Sequence, residues 1–379
     1  MIKILHIADT HLGYSAYRKT NDEGINQREA DIYESFRKVI DYAIDQKVDL
    51  ILHAGDLFDA VRPTNRAITI AIQQLLRLSD HHIQFVLISG NHEQPKLQET
   101  GHIFNLFEHI PHIHPIYHEK YETKEFNMND ETILIHCLPQ INTQEAYQTQ
   151  LTSIEDNEDV DYQIFLAHGS IQGIKEFSMN EFNEMMLPKQ YLSKMFDYVA
   201  LGHFHTYTKI NDNTYYAGST DTFSFSETTS AHGFIQLNLE NQQKQISFKK
   251  LQTRPFIDMP PIECYGKEID EIQREINTTI QKLGPKDKIF RINLSHIQMH
   301  QYRSLDFRHI RQITQGCLHY EINTLFEEKD RKRFESMGKI DSLTEEFHQF
   351  INDQEIEKKD MFLKKGLEYI NQTMNKDDI

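Results

Sequence analysis

Seven side chains in this 379-residue sequence have the types and spacing to bind metal: Asp9, His11, Asp56, Asn91, His168, His203 and His205. They lie in five short motifs, Asp9-Thr10-His11, Gly55-Asp56, Gly90-Asn91-His92, Ala167-His168-Gly169 and Gly202-His203-Phe204-His205, and each motif closes an apolar run. Spacing of i and i+2 puts Asp9 with His11, and His203 with His205, on one face of extended backbone. Two carboxylates, an amide oxygen and four imidazoles mix hard and borderline donors. That set suits divalent manganese, iron or zinc better than calcium, and magnesium is less suited to so many histidines. Two such ions roughly 3.5–4 Å apart can bind the non-bridging oxygens of a phosphate and lower the pKa of a bridging water. His92 is left over beside Asn91, where it can contact the phosphate and donate a proton as the leaving oxygen gains charge. His6 and His53 fall inside apolar runs, off the motif positions, and read as structural. His81, His82, His109, His112 and His114 read as loop and helix-end residues.

These motifs need strands to carry them. Residues 2–8, 49–54 and 83–89 are short, nearly continuous apolar runs, as expected of strands covered on both faces. Helices are predicted between them. The first opens at Asn26 with Glu29 three residues on and carries an apolar stripe of Ile32, Phe36, Val39, Ile40, Ala43 and Ile44. The second follows Pro63-Thr64 with Ile68, Ala71, Ile72, Leu75 and Leu76. The alternation β-α-β-α-β implies a parallel sheet, whose sites gather at the carboxyl ends of strands. From residue 112 the pattern changes to strands and turns: 112–117, 132–137, 161–168, 197–203, 214–217 and a hairpin in 232–251. A second sheet packed on the first accounts for them. The expected fold class is therefore α/β, a two-sheet β-sandwich flanked by helices.

Arg254-Pro255 and Pro260-Pro261 mark a boundary, since paired prolines cannot continue a sheet. Residues 256–325 then read as strand, helix (267–282), strand (287–294), helix (304–313) and strand (317–325), a small α+β capping domain. A charged run begins at Glu327, and residues 341–373 read as a helical hairpin whose apolar faces are too few to fold alone and need another surface. The predicted division is 1–253, 254–326, a linker 327–340, and 341–373.

A formal net charge of −17 argues against binding nucleic acid by bulk electrostatics, so phosphate must be met locally. Cys137, Cys264 and Cys317 lack paired metal-binding spacing and are expected to be reduced. The N-terminus turns acidic too soon for a signal peptide, and no apolar run approaches the ~18 residues of a membrane span. A cytoplasmic protein without membrane attachment is expected.

In this order the motifs resemble the calcineurin-like metallophosphoesterase superfamily. More narrowly, they resemble the SbcD-type nuclease subunits of the Mre-eleven family of double-strand-break repair nucleases. The carrying residues are Ala8 to Tyr14, Gly55-Asp56-Leu57-Phe58 with Arg62-Pro63, Gly90-Asn91-His92, Ala167-His168-Gly169, Gly202-His203-Phe204-His205, and Ala217-Gly218-Ser219 with Phe225 and Glu227. The resemblance implies a metallophosphoesterase fold in which Asp9, His11 and His205 hold one manganese ion and Asn91, His168 and His203 a second. Asp56 would bridge the pair and His92 would be catalytic. It also implies a capping domain, a helical segment that grips an SbcC-like SMC-type ATPase, a homodimer within a heterotetramer, and exonuclease and endonuclease action on DNA. Glu93 stands where Asp is usual, and Asp59 where some members have His. Together with Tyr14 and Arg62 these are expected behind the ligands or against substrate. Two other readings use the same motifs: a small-molecule phosphoesterase or cyclic nucleotide phosphodiesterase, and a DNA-end tethering subunit without catalysis.

Overall fold

The computed structural model describes residues 1–97, 100–173, 184–192 and 195–326, with five further positions between 351 and 366. The expected charged linker and helical hairpin therefore fall almost wholly outside the described residues. Two compact units are present. One holds Met1–Asp258 with residues 285–291 and 314–320, the other residues 259–284, 292–313 and 321 onward.

The first unit opens with β1 (Ile2–Ile7), α1 (Gln27–Asp45), β2 (Leu50–His53), α2 (Asn65–Asp80) and β3 (Gln84–Ile88). The Asn26 side chain caps α1 by accepting from the amides of Arg28 and Glu29, and Thr64 caps α2 through Ala67 N–H. Five more strands and a helix follow: β4 (Ile113–Ile116), β5 (Glu122–Met128), β6 (Glu131–Leu138), α3 (Gln144–Leu151), β7 (Tyr162–His168) and β8 (Ser170–Ile171). The unit continues with β9 (Met186–Leu187), β10 (Tyr198–Gly202), β11 (Thr208–Lys209), β12 (Thr214–Tyr216), β13 (Gly233–Glu240) and β14 (Gln243–Lys250).

Two six-stranded sheets result, in the orders β14-β13-β1-β2-β3-β4 and β11-β12-β10-β7-β6-β5. Strands β1 to β4 run parallel, as do β6, β7, β10 and β12, while antiparallel strands close the edges. Between the sheets Ile4, Leu52, Val86, Ile135, Leu166 and Ala200 share one buried cluster. On the outer face of the first sheet α1 and α2 lay down Phe36, Ile40, Ala71 and Leu75 against Leu5, Ile51 and Phe85. Tyr147 and Leu151 of α3 cover the second sheet. Each fully buried aliphatic or aromatic side chain contributes about 1.5–3 kcal/mol, so both sheets are stabilised from both faces.

One expectation is corrected. The strand near 112–117 and the hairpin in 232–251 do not join the second sheet. As β4 and β13-β14 they extend the first, with β13 antiparallel to β1. An open strand edge offers unmet N–H and C=O groups to any returning strand, and alternation along the sequence does not say which edge a hairpin takes. Strand β5 and helix α3 were not expected.

In the remaining chain lie β15 (Phe256–Asp258), β16 (Ile262–Glu263), α4 (Ile269–Leu283), β17 (Ile289–Ile297), α5 (Met299–Ser304), α6 (Phe307–Ile313) and β18 (His319–Phe326). In the second unit a reciprocal box of Glu268 and Glu271 caps α4, whose Ile272, Ile276 and Ile280 are buried. The helix expected over 304–313 is α6 and starts at Phe307, with Asp306 accepting from His309 N–H; extended Leu305 separates it from α5, which was not expected. Among the described residues no helix is long and apolar enough to cross a membrane.

Candidate metal centre

All seven ligand candidates stand at or just beyond the carboxyl ends of β1, β2, β3, β7 and β10, and the sandwich brings them together. The turn after β1 runs beside the turn after β2: Asp9 N–H donates to Gly55 O (3.1 Å), His11 N–H to Asp56 O (3.0 Å) and Leu12 N–H to Leu57 O (2.8 Å). These bonds hold a backbone that would not stay there unaided. Asp9 (φ 51°), His11 (φ 45°), Asp56 (φ 56°) and His203 (φ 98°) are all left-handed, a conformation that costs non-glycine residues about 1–3 kcal/mol each and clusters at functional sites. Two glycines permit the crowding. A Cβ on Gly55 would lie 2.4 Å from His168 Nδ1, and one on Gly90 would lie 2.2 Å from Asp56 Oδ1.

Side-chain atoms then converge in two groups. His168 Nε2 and His203 Nδ1 lie 3.0 and 3.1 Å from Asn91 Oδ1. In the other, His11 Nε2 and His205 Nε2 are 3.2 Å apart, and Asp9, His11 and His205 offer ligand atoms within 4.8 Å of one another. Asp56 stands between them, its Oδ2 3.3 Å from His168 Nε2 and 3.9 Å from His11 Nε2. Its Oδ1 accepts from His92 N–H at 3.0 Å. Main-chain donation also steadies Asp9, whose two oxygens take His203 N–H at 2.9 and 3.1 Å.

Outer partners set the tautomers. His168 Nδ1–H donates to Ala54 O (2.7 Å), so its Nε2 carries the lone pair toward Asn91 and Asp56. Glu227 Oε1 lies 3.2 Å from His205 Nδ1. Burial disfavours a charged His168, but the adjacent Asp56 outweighs it and holds the imidazole up at about 9. Burial likewise opposes the Asp56 carboxylate, and His168, His92 and His11 hold it well below the usual range. The negative potential that favours a proton on His168 favours a divalent cation in its stead. Buried His11 Nδ1 and His203 Nε2 make no hydrogen bond among the described residues, but each faces a carboxylate, Asp59 at 3.4 Å and Glu184 at 3.3 Å. The donor set fits a pair of divalent cations.

His92 is partly exposed at the edge of this cluster, edge-on to His11 with centroids 4.6 Å apart. Its Nδ1–H donates to Asp59 O (3.1 Å), so Nε2 is the nitrogen that exchanges protons. The carboxylate of Asp59 stands 3.4 Å from His11 Nδ1. Glu93 faces inward, accepting from Gly90 N–H (3.1 Å) and Leu57 N–H (3.3 Å). Burial first, and then Asp56, push it up to about 8. The lengthened acid thus braces the Gly90 turn, while Asp59 orients His92. Tyr14 packs edge-on against Phe223 and donates to its carbonyl. Arg62 is exposed on the loop after β2. His6, between Tyr198 Oη and Leu201 O, and His53, against Thr10 Oγ1, are buried and structural as expected.

Three participants were assigned no place at the site in the sequence reading. Phe223 forms an aromatic wall on His11 and His205. Glu227 was visible only as part of a family motif, and Glu184, 3.3 Å from His203 Nε2, had no signal at all.

Calcineurin-like phosphoesterase is the family whose model matches residues 2–207, the span that contains every ligand. The chain belongs to that family of phosphoester hydrolases, whose fold implies divalent metal, and the cluster at its strand ends is the candidate metal centre. Within it the chain groups with the Mre11 proteins. The DNA double-strand break repair protein Mre11 of Methanococcus maripaludis is 32% identical over 286 residues, 72% of this chain and 74% of that one. Its namesake from Sulfolobus acidocaldarius is 28% identical over 306 residues, 79% and 75% of the two chains. The one from Sulfurisphaera tokodaii is 35% identical over 205 residues, 54% and 49%.

Proposed function

We propose that this chain is an SbcD-type nuclease subunit of double-strand-break repair: a manganese-dependent DNA phosphodiesterase with 3′-to-5′ exonuclease and single-strand endonuclease activity, acting in the cytoplasm. The observation that carries the reading is the placement of Asp56 Oδ2 between His168 Nε2 and His11 Nε2, as one carboxylate shared by two ligand groups requires. Asp9, His11 and His205 would hold one ion, Asn91, His168 and His203 the other. Such a pair supplies Lewis-acid polarisation of the phosphodiester and a nucleophile at neutral pH.

The protein's own contribution centres on His92. Its Nδ1–H is committed to Asp59 O, so the charged ring presents an Nε2 proton, which it donates to the ester oxygen as the P–O bond breaks. Its main-chain N–H grips Asp56, so acid and bridging carboxylate move as one. Tyr14 and Phe223 wall the cluster and limit water around it. Residues 1–253 form the nuclease domain and 254–326 the cap. Past the linker 327–340, residues 341–373 grip an SbcC-like ATPase, and the working unit is a homodimer within that assembly.

His92→Asn tests the assignment. Purified variant with manganese is expected to lose nicking and degradation of linear DNA while still binding metal, and undiminished cleavage overturns the role of His92. Turnover of nitrophenyl phosphates and cyclic nucleotides with no DNA cleavage by the wild type would overturn the choice of substrate.

A further inference from the structure

Seven ligands bring only two carboxylates, Asp9 and Asp56, to a centre read as holding two divalent cations, four positive charges. Two further buried carboxylates stand directly behind it. Glu184, just before β9, puts Oε1 3.3 Å from the outer nitrogen of His203 and takes a hydrogen bond from Ser170 Oγ at the start of β8. Glu227, in the turn after β12, puts Oε1 3.2 Å from the outer nitrogen of His205. Phe223 N–H (2.8 Å) and Ser224 Oγ (3.3 Å) hold Glu227 in turn. Both side chains are only 8% exposed, so water screens them little. Each lies behind a different ion site, since His203 groups with Asn91 and His168, and His205 with Asp9 and His11. His168, by contrast, leans on a neutral carbonyl.

We infer that Glu184 and Glu227 are positioning residues of the metal centre, one per cation site, each holding the outer nitrogen of one histidine ligand by its charge and raising that ligand's basicity. The inference rests on the two-metal reading. A carboxylate against the outer nitrogen, hydrogen-bonded for Glu227 and in ion-pair contact at 3.3 Å for Glu184, makes imidazole a better donor than a carbonyl does, and removing such a partner typically costs 10- to 100-fold in metal affinity. The two carboxylates also bring the charge of the centre toward balance.

The experiment uses the full chain stripped of metal and titrated with Mn2+ alone, by calorimetry and by electron paramagnetic resonance, which separates an isolated ion from a coupled pair. Wild type is expected to bind two ions. Glu184→Gln and Glu227→Gln are each expected to weaken one step by about 10- to 100-fold and to leave the other, so that an isolated-ion spectrum persists where wild type shows the coupled one. Double-mutant cycles assign the sites. Glu184→Gln should add nothing to His203→Asn but act in full with His205→Asn, and Glu227→Gln should show the reverse pattern. A merely structural role would lower the melting temperature without that selectivity. Should a Gln variant not fold, Ser170→Ala or Ser224→Ala replaces it, removing one bond to the carboxylate and leaving its charge. A several-fold weakening supports the inference and wild-type affinity overturns it. Wild-type affinity for both ions in the Gln variants, or a cycle coupled to the wrong histidine, also overturns it. A wild-type chain that binds fewer than two ions overturns instead the two-metal reading beneath.

Discussion

Gly90→Ala is a single-methyl perturbation aimed at the shared carboxylate. The new Cβ would sit 2.2 Å from Asp56 Oδ1 and 2.6 Å from Asp56 N, against a floor near 3.0 Å for real Cβ contacts, so at least 0.8 Å must open. The carboxylate has nowhere easy to go. Its Oδ1 is held by His92 N–H at 3.0 Å and its Oδ2 faces His168 Nε2 at 3.3 Å. Overpacking of this kind costs about 1–3 kcal/mol, and displacing a catalytic group by about 1 Å costs on the order of 100-fold in rate. Expected are a roughly 100-fold loss in hydrolysis of bis(nitrophenyl) phosphate and in plasmid nicking, weaker Mn2+ binding, and a melting temperature lowered by ~2–4 °C per kcal/mol. Gly24→Ala is the control. Gly24 also has positive φ (+74°), but nothing lies within 4 Å of the added carbon, so it brings backbone strain of about 1–2 kcal/mol without a collision and should keep full activity. If Gly90→Ala cleaves and binds Mn2+ like wild type, Asp56 does not depend on this packing and the reasoning fails.

His92→Asn should lower cleavage by about 10²- to 10⁴-fold with both Mn2+ affinities intact, and parallel loss of metal binding would contradict a proton-donating role. Burial first, only partly offset by the bond that His6 Nε2–H donates to Leu201 O, drops His6 to about 3 from 6.5. The unfolded chain thus takes up a proton below pH 6.5 that the folded one refuses, and stability present above 6.5 is lost as pH falls. At pH 5 the loss is roughly 2 kcal/mol, to be read as a shift in denaturant midpoint that His6→Gln reduces. Arg28 is fully buried with its guanidinium on Asp221 (2.9 Å) and Asp31 (2.9 Å). Arg28→Ala should cost about 3–5 kcal/mol because it strands Asp221, and Arg28→Met with Asp221→Leu should recover much of that. Additivity in that pair would refute the account.

The convergence of the seven candidate ligands was legible because metal chemistry restricts residue type and because parallel strands deliver side chains at predictable ends. Asp9 with His11, and His203 with His205, needed only the i, i+2 rule. The helices opened at Asn26 and Thr64, as their capping residues indicated. What stayed hidden depends on tertiary approach rather than local pattern. Glu184 comes to His203 where two short strands, β8 just after His168 and β9 just after Glu184, pair, and nothing near Glu184 in sequence marks it. The choice of sheet by the β13-β14 hairpin was invisible for a related reason: Leu237 and Leu239 bury one face whichever edge the hairpin joins. Glu93 shows a third limit. Its extra methylene suggested trouble for His92, but which amides it reaches follows from the Gly90 turn.

The cage draws on strands from both sheets, and this has a bearing on biosynthesis. Asp9 leaves the ribosome about 200 residues before His205, roughly 10–40 s earlier at ordinary elongation rates. Within that interval the first three motifs and then His168 emerge, while His203 and His205, one in each candidate ligand group, come last. On the two-metal reading, a cation pair can therefore be retained only once residue 205 is out, and nascent chains halted before residue 200 should pass through a manganese pool without retaining a pair.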